Sequence, residues 1–411
     1  MPEKQRDALP VMFKGLALTS FFAQFSEQIA LAAGPLVAVL YLGAGATQTA
    51  CLQSAQTLPF LLFSMPAGLL VDRLSRRNLM LASECVRALS LFVILYLLHI
   101  HHLSLSALAL CGFLGAIGAV VYSVAAPAVI NELVDRTQLL AANRWLEIIR
   151  SVSFTSGPAL GGAIVGWTGG SSAYVVSMGL SLVAALCLSR LAEKKRTLKP
   201  RRRVMAELGA GMSYVVRHPL LCPLLATACV FNLSWFILQG VFVAYAVESL
   251  GFTPTAIGGS LALYGCGMVL GAWGMKRLSQ AVSFGMLIVA GPVSALVASV
   301  CMLVTTSSPS RLLIAVSFIL FGAGPMLWTI TTAALRQAVT PNDMLGRVSA
   351  VVMTATAGAR PVGALLGAAI AMKFGTDACL VVSTLGFCVQ FFIVILSPAR
   401  TLKSLPAAAA S

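Results

Sequence analysis

Two charged side chains stand inside apolar stretches of the sequence, where an ionisable group is costly and usually functional. Glu27 occupies the middle of the first apolar stretch, and Arg360 occupies the middle of another stretch near the end of the chain. A carboxyl group withdrawn from water favours its neutral form, so a buried Glu27 can bind and release a proton near neutral pH. The chemistry indicated is proton transfer across a membrane, and a static ion pair that braces the helices is the alternative.

Arg360 has three roles that the sequence does not separate: partner of Glu27, anchor for an anionic substrate, or brace between the two halves of the chain. Most other charges in apolar stretches are predicted within two turns of a helix end, where a long side chain reaches the membrane surface. They are Glu84, Arg87, Glu147 and Arg150. Glu248 is expected at the outer end of the seventh span, where it borders the aqueous phase.

The composition indicates which elements position these charges. Hydrophobic residues make up 58% of the 411 residues and charged residues 10%, with a mean hydropathy of +0.91. Soluble proteins carry about 25% charged residues, so this is a membrane protein. A transmembrane helix needs about 20 apolar residues, whereas strands of a membrane barrel alternate apolar and polar residues. Twelve helical stretches are predicted, near 14–41, 48–71, 78–99, 104–130, 144–168, 171–191, 220–248, 255–276, 283–305, 310–335, 346–372 and 377–397.

Lys and Arg accumulate on one side of the predicted spans and explain the net charge of +15 without a nucleic-acid partner. The opposite side holds only Arg311 and Lys373. Because positive residues mark cytoplasmic loops, both termini are expected in the cytoplasm, in a bacterial-type inner membrane. The first span is expected to be retained rather than cleaved as a signal peptide. The cytoplasmic set is Lys4, Arg6, Lys14, Arg73, Arg76, Arg77, Arg136, Arg144, the run Arg190 to Arg217, Lys276, Arg277, Arg336, Arg347, Arg400 and Lys403.

Metal and enzyme chemistry find little support in the sequence. Ten cysteines stand singly, without a CxxC pair, and are expected to pack as small apolar side chains. His99, His101 and His102 share a short loop, where solvated side chains are expected and a metal or pH-sensing role is the alternative. The sequence lacks HExxH, P-loop and nucleophile-elbow patterns. We therefore expect no metal, no cofactor and no enzymatic activity.

The chain repeats itself with an offset of 203 residues. The pairs at this offset are Lys14 and Arg217, Gly68 and Gly271, Arg144 and Arg347, and Pro158 and Pro361. The repeat predicts an N-terminal six-helix bundle (1–191), a polar cytoplasmic linker that can hold an interfacial helix (192–216), and a C-terminal six-helix bundle with a short tail (217–411). Many secondary transporters consist of such parallel repeats, with the binding site between them. A monomer is expected, since one twelve-helix unit encloses its own pathway.

The loop after the second span carries a recognisable motif. The run from Gly68 to Arg77, GLLVDRLSRR, resembles the G-x-L-x-D-R-x-G-R-[KR] loop motif of the major facilitator superfamily, with Ser75 in place of a glycine. The resemblance implies the twelve-helix major facilitator fold and a cytoplasmic latch in which Asp72 docks on the start of the eleventh helix, near 342–347. The alternative is a positively charged loop without a latch. The motif residues are Gly68, Asp72, Arg73, Arg76 and Arg77.

A second motif lies in the fifth span. Gly157, Pro158, Gly161 and Gly162 resemble the GPxxGG core of the motif of proton-exchanging exporters in this superfamily, although Ser153 stands where a further glycine is usual. A generic packing kink is the alternative, since Pro bends a helix and Gly allows close contact. The stretches around Arg217, Arg347 and Arg360 are similar to the branch with macrolide efflux proteins and the enterobactin exporter.

The resemblance also suggests a substrate cavity lined by spans one, four, seven and ten. The candidates there are Phe22, Gln24, Glu27, Tyr122, Asn232, Trp235, Gln239, Met326 and Trp328. Aromatic, Met and amide side chains suit a bulky amphipathic molecule, although each also occurs in ordinary helix packing. The function expected is export of drug-like compounds or a siderophore by proton antiport with alternating access. The alternatives are an importer, an uncoupled facilitator, or a sensor that binds without transport.

Overall fold

The computed structural model describes residues 10–134, 138–191, 204–341 and 344–406. Within these ranges the chain is helical, and short turns join the helices. The helices are α1 (Val11–Leu42), α2 (Ala46–Arg73), α3 (Arg76–His99), α4 (Leu105–Leu133), α5 (Leu139–Thr168), α6 (Gly170–Ser189), α7 (Val204–Arg217), α8 (Leu221–Glu248), α9 (Pro254–Ala281), α10 (Phe284–Val304), α11 (Arg311–Val339) and α12 (Leu345–Ile395).

Capping side chains and glycines set the helix boundaries. Ser75, Ser104 and Ser310 precede α3, α4 and α11, and each hydroxyl accepts a hydrogen bond from the backbone N–H three residues later. Gly43 (φ 64°) follows α1, and Gly169 (φ 90°) separates α5 from α6. Both glycines have the positive φ that an L side chain disfavours, so they end the preceding helices.

The twelve predicted spans coincide with helical segments, and the helical membrane architecture is confirmed. Ten helices of the described residues are long and apolar enough to cross a bilayer. One of them is α12, which Gly375 (φ 82°) breaks into segments 345–374 and 376–395, matching the eleventh and twelfth predictions. The 28-residue α2 matches the second prediction. The count of twelve spans thus depends on α2 and on the break in α12.

α7 is a short helix that precedes the seventh predicted span. It packs against α12 and α8. The hydroxyl of Tyr214 donates a 2.7 Å hydrogen bond to the carbonyl of Val339, at the end of α11. A Cβ at Gly211 would lie 3.0 Å from the backbone carbonyl of Arg347, so glycine allows α7 to approach the first turn of α12. The helix is therefore held to the ends of its neighbours. Residues 192–203 of the predicted linker lie outside the described residues.

The chain divides into two compact units. The first comprises Met1–Gly43 and Ala55–Pro200, and the second comprises Ala44–Ser54 and Arg201–Ser411. In the first unit, α1 packs against α4, α5 and α6, while α3 packs against α4 and α6. α4 and α6 therefore each contact both α1 and α3.

In the second unit, α8 packs along α12, and α11 packs against α9 and α10. The first turns of α2 also belong to this unit, where Ala50 lies in a core cluster with Ile237, Val241, Ala368 and Cys379. The unit boundary therefore falls inside α2 rather than at a loop.

The segment after α12 folds back onto the start of α10. A short 3-10 helix (Pro398–Thr401) packs against α10, and the Gly285 N–H donates a 2.8 Å hydrogen bond to the carbonyl of Leu402. A Cβ at Gly285 would clash with the carbonyl of Arg400. Glycine at this position lets the tail close over the first turn of the helix.

Candidate functional site

A charged cluster fills the interior of the first unit. The Nη1 atom of Arg87 donates to both carboxylate oxygens of Glu84, at 2.9 and 3.2 Å, and to the carbonyl of Ala23, at 2.9 Å. The Ser181 hydroxyl donates to Glu84 Oε2 at 2.6 Å. Glu84 is fully buried and Arg87 is 4% exposed. A buried carboxylate is stable only when paired and hydrogen-bonded, and the cluster provides both for Glu84.

Glu27 is the second carboxylate of this cluster. Its Oε2 lies 3.8 Å from Nη2 of Arg87, and its side chain is 17% exposed. Arg87 therefore faces two carboxylates, one bonded closely and the other at longer range. Arg87 is thus an ionic partner of Glu27 within the first unit.

The prediction that Glu84 and Arg87 extend to the membrane surface is wrong. α3 begins at Arg76, so the two residues lie 8 and 11 positions into the helix, about 12 and 16 Å along its axis. Their side chains turn inwards to α1 and α6 instead of extending along the helix. The spacing of an acid and a base three residues apart in an apolar helix was the signal available in the sequence.

An open pocket with a cavity volume of about 60 Å³ lies beside the cluster in the first unit. Glu27, Gln56, Arg87 and Tyr174 supply the larger polar side chains of its lining. Its other walls are largely apolar and come from α1, α2, α3 and α4.

Two glycines leave room for the side chain of Gln56 beside this pocket. A Cβ at Gly34 of α1 would lie 2.7 Å from Gln56 Nε2, and a Cβ at Gly112 of α4 would lie 2.9 Å from its Cγ. Gln56 is 4% exposed. The missing side chains thus leave a slot between two helices in which the glutamine lies. Gln56 was not predicted, because it lies on the second span, outside the four spans that the family resemblance assigns to the cavity.

The predicted exporter motif packs directly on the helix that carries Glu27. A Cβ at Gly157 would clash with the Cβ of Gln28, and a Cβ at Gly161 would lie 2.9 Å from the carbonyl of Ile29. Pro158 lies within α5, and Gly162 is buried. The glycines therefore allow α5 to touch α1 at the two residues after Glu27.

The arginines of the loop motif bind carbonyl groups at the ends of neighbouring helices. Arg77 Nε donates to the carbonyl of Leu188 at 3.0 Å, and its Nη2 donates to Ser189. Arg76 Nη1 donates to the carbonyl of Ala128. Cations are stabilised at helix C-termini, so these arginines fix the start of α3 to α4 and α6.

The other positions of the loop motif differ in their conformation and exposure. Ser75 replaces the usual glycine as a cap with φ −57°, a conformation open to any residue. Arg73 is exposed, and a Cβ at Gly68 would meet no described atom within 4 Å. The side chain of Asp72 and residues 342–343 lie outside the described residues, so the latch stays a prediction.

In the second unit, Arg360 lies on α12 beside α8. Its Nε donates to Asn232 Oδ1 at 3.3 Å, and its guanidinium lies 5.8 Å from the ring centroid of Phe236. Asn232 Nδ2 donates in turn to the carbonyl of Ala228 at 2.9 Å. The structure thus brings together two predicted site residues, Arg360 and Asn232.

Trp235 lies in an aromatic cluster of the second unit. Its ring stacks against Tyr264 at 5.4 Å and against Phe231 at 6.4 Å, and it contacts Phe321 at 4.9 Å. Phe387 contacts both Phe231 and Phe321. Phe321 and Phe387 are fully buried, so these rings pack together in the interior of the second unit. Only Trp235 of this cluster was predicted.

The other predicted substrate residues differ in exposure. Tyr122 is 2% exposed, and its hydroxyl lies 3.1 Å from that of Ser20. Phe22 and Trp328 pack against core clusters of their units. Gln24, Gln239 and Met326 are partly buried. Among the described residues, no group of three or more His, Cys, Asp or Glu side chains is placed to hold a metal ion.

Comparison with known proteins identifies the family. The Major Facilitator Superfamily sequence model matches residues 16–364. The chain belongs to the major facilitator superfamily. This confirms the resemblance of the loop motif, and it makes the protein a membrane transporter by family and fold.

The matching relatives include efflux proteins. The multidrug efflux pump Tap of Mycolicibacterium fortuitum is 26% identical over 83% of this chain and 84% of its own length. Macrolide efflux protein A of Streptococcus pyogenes is 22% identical over 84% and 86%. An uncharacterised transporter of the superfamily, YfiS of Bacillus subtilis, is 25% identical over 84% and 83%.

Solved structures share the fold at low identity. A transporter of the POT family in complex with a thioalcohol-conjugated peptide gives a TM-score of 0.72 at 15% identity, covering 94% of this chain and 97% of that chain. The nucleoside transporter NupG gives 0.70 at 13% identity, covering 94% and 98%. These likenesses concern the architecture.

Proposed function

We propose that the protein exports amphipathic small molecules, drug-like compounds or a siderophore, from the cytoplasm by proton antiport. The observation that carries the proposal is Glu27, a carboxylate that shares one arginine with the buried Glu84 and also borders a pocket. Two named efflux relatives support export as the direction. The setting proposed is a bacterial inner membrane with both termini in the cytoplasm.

The geometry gives the two carboxylates different tasks. Glu84 accepts hydrogen bonds from Arg87 and Ser181 and is shielded from water, so its charge is compensated locally. Glu27 lies farther from Arg87 and retains access to the pocket. Neutralising Glu27 leaves Arg87 bonded to Glu84 and Ala23, so a proton can bind and leave without dismantling the cluster.

Antiport follows if proton binding and substrate binding favour opposite orientations of the transporter. Glu27 in its charged form favours an orientation in which water or a substrate reaches it. Its neutral form lowers the cost of closing the site to water. The tight contact of α5 at Gln28 and Ile29 links a movement of α1 to a change in the surroundings of Glu27.

The experiment uses inverted membrane vesicles, in which export appears as uptake into the lumen. Substrates come from a growth screen of a deletion strain against toxic compounds and under iron limitation. Glu27→Gln is expected to reduce gradient-driven uptake at least about 100-fold, because an amide does not exchange protons. Counterflow in proteoliposomes, which needs no gradient, should persist.

Glu248→Gln is the matched control, because it makes the same change at an exposed residue at the end of α8. It should transport as the wild type does. Gradient-driven uptake retained in Glu27→Gln would remove that residue from coupling. Uptake by the wild type that survives dissipation of the gradient would identify an importer or an uncoupled facilitator. Binding without counterflow would identify a sensor.

A further inference from the structure

We propose that Ser181 of α6 is a positioning residue for proton binding at Glu27. It acts through Glu84, to whose Oε2 atom its hydroxyl donates a 2.6 Å hydrogen bond. This bond supplies part of the charge compensation that Glu84 needs, so Arg87 keeps part of its own charge for Glu27. The inference rests on the proposed function and deepens it by naming a residue that sets the pH at which Glu27 exchanges its proton.

The hydrogen bond of Ser181 leaves its own helix. A serine inside a helix commonly donates to the carbonyl four residues earlier, as Ser90 does to Val86. Ser181 instead reaches from α6 to α3, where its oxygen lies 2.6 Å from the carboxylate of Glu84 and 3.2 Å from the carbonyl of the same residue. A hydroxyl has a single proton, and the closer, charged acceptor binds it more strongly.

Burial isolates this hydrogen bond from water. Ser181 and Glu84 are both fully buried. A hydrogen bond to a charged group is stronger in such surroundings than in water. Among the described residues, the side chains that bond the Glu84 carboxylate are Arg87 and Ser181. Removing the hydroxyl therefore leaves Arg87 as the remaining described partner of that carboxylate.

Arg87 connects Glu84 to Glu27. Its Nη1 atom bonds both carboxylate oxygens of Glu84, whereas its Nη2 atom lies 3.8 Å from Glu27 Oε2. Two carboxylates that share one guanidinium group titrate as a coupled pair. Loss of the Ser181 hydrogen bond removes a donor from the charged form of this pair. The pair should then hold a proton up to a higher pH.

The other titratable groups near Glu27 stay the same in every variant compared. α1 and α3 pack against α4, α5 and α6, and α2 adds the neutral Gln56 to the pocket lining. Phenol, thiol and guanidinium groups titrate at about pH 8.5 or above in water. A difference between variants at lower pH therefore comes from the carboxylates. The described groups of these types on the packed helices are Cys111 and Tyr122 on α4, the exposed Arg150 on α5, and Tyr174 and Cys187 on α6.

The test follows the carboxyl proton by infrared spectroscopy of the full-length protein in detergent, titrated from about pH 5 to about pH 9. The C=O stretch of a protonated carboxyl group disappears as the proton leaves, and the measurement needs no substrate. Glu27→Gln assigns the band, because it removes that carboxyl group. Ser181→Ala should move the midpoint of the band to higher pH by about 0.5–1 unit, which is part of the worth of one hydrogen bond to a charged group.

Ser177→Ala is the matched control. Ser177 lies one turn earlier on α6, is also fully buried, and its hydroxyl has no hydrogen-bond partner among the described residues. The midpoint of this variant should equal that of the wild type. An unchanged midpoint in Ser181→Ala, or an equal shift in both serine variants, would overturn the positioning role.

The outcomes separate this inference from the proposed function. A band that is lost in Glu27→Gln but unmoved in Ser181→Ala would retain proton binding at Glu27 and overturn the role of Ser181. A band that persists unchanged in Glu27→Gln would place the proton on another group, and would overturn the proposed function together with this inference.

Discussion

The two compact units of this transporter differ in the side chains of their interiors. The first unit holds a charged cluster of Glu27, Glu84 and Arg87 beside a pocket. The second unit holds an aromatic cluster around Trp235, and its Arg360 donates a hydrogen bond to the amide oxygen of Asn232. The first unit is thus distinguished by buried charges and the second by buried aromatic rings.

The offset of 203 residues makes the divergence specific. Glu27 corresponds to Val230, and Trp235 corresponds to Ala32. By contrast, the prolines that interrupt α5 and α12, Pro158 and Pro361, are retained at the same offset. At the predicted repeat offset the prolines inside the helices are the same, whereas these interior side chains differ.

The largest expected effect is a loss of stability in the first unit. Arg87→Leu leaves Glu84 buried beside Ser181 without its cation, and should lower the free energy of unfolding by about 3–5 kcal/mol. The double variant Glu84→Leu with Arg87→Leu should recover most of the lost stability, because it leaves no unpaired charge in the interior. Thermal unfolding in detergent measures both. Equal melting temperatures for the single and double variants would contradict the pairing.

A smaller effect is expected from a pair of equivalent glycines. Gly271→Ala places a Cβ 2.5 Å from the carbonyl of Ala323 and should cost about 1–3 kcal/mol by overpacking. Gly68→Ala meets no described atom within 4 Å and should change stability by less than about 0.5 kcal/mol. Thermal unfolding of the two variants in one detergent tests the contrast. A larger loss of stability in Gly68→Ala than in Gly271→Ala would contradict this expectation.

The smallest effect concerns the start of α8. His218 Nδ1 accepts hydrogen bonds from the backbone N–H groups of Leu220 and Leu221 at 3.2 and 3.3 Å, and burial lowers its pKa below the usual 6.5. A protonated imidazole cannot accept, so this stabilisation is present above about pH 6.5 and lost as the pH falls through the lowered pKa. At the offset of 203 residues His218 corresponds to Gly15, which lies inside α1 and has no side-chain acceptor.

Melting curves at pH 7.5 and pH 5 test the pH dependence. His218→Asn keeps an acceptor that does not titrate, so it should remove about 1–2 °C of the acid-induced drop in melting temperature. A drop of the same size in wild type and variant would show that other groups cause the acid sensitivity.

Most of the fold was predictable, because a long apolar stretch in a membrane satisfies its backbone hydrogen bonds by forming a helix. Helix ends were also accessible, as at Gly43 and Ser104. The bend at Gly375 agrees with the gap between the last two predicted spans. The placement of the unit boundary inside α2 was not predictable, since it depends on contacts of Ala50 with α8.

The candidate site was predictable only in part. Glu27 was predicted because its position in the middle of the first apolar stretch indicates its depth in the membrane. Glu84 and Arg87 did not, because depth along a helix does not show which way a side chain turns. Gln56 and Tyr174 were missed for a related reason: their burial depends on glycines and helices far away in the sequence.

The folded-back tail has a practical consequence for handling the protein. Since Leu402 accepts the hydrogen bond of Gly285, a truncation ahead of this residue would deprive the first turn of α10 of its cover. Affinity tags and fluorescent fusions are therefore best attached after Lys403, where the added sequence leaves the contact between the tail and α10 intact.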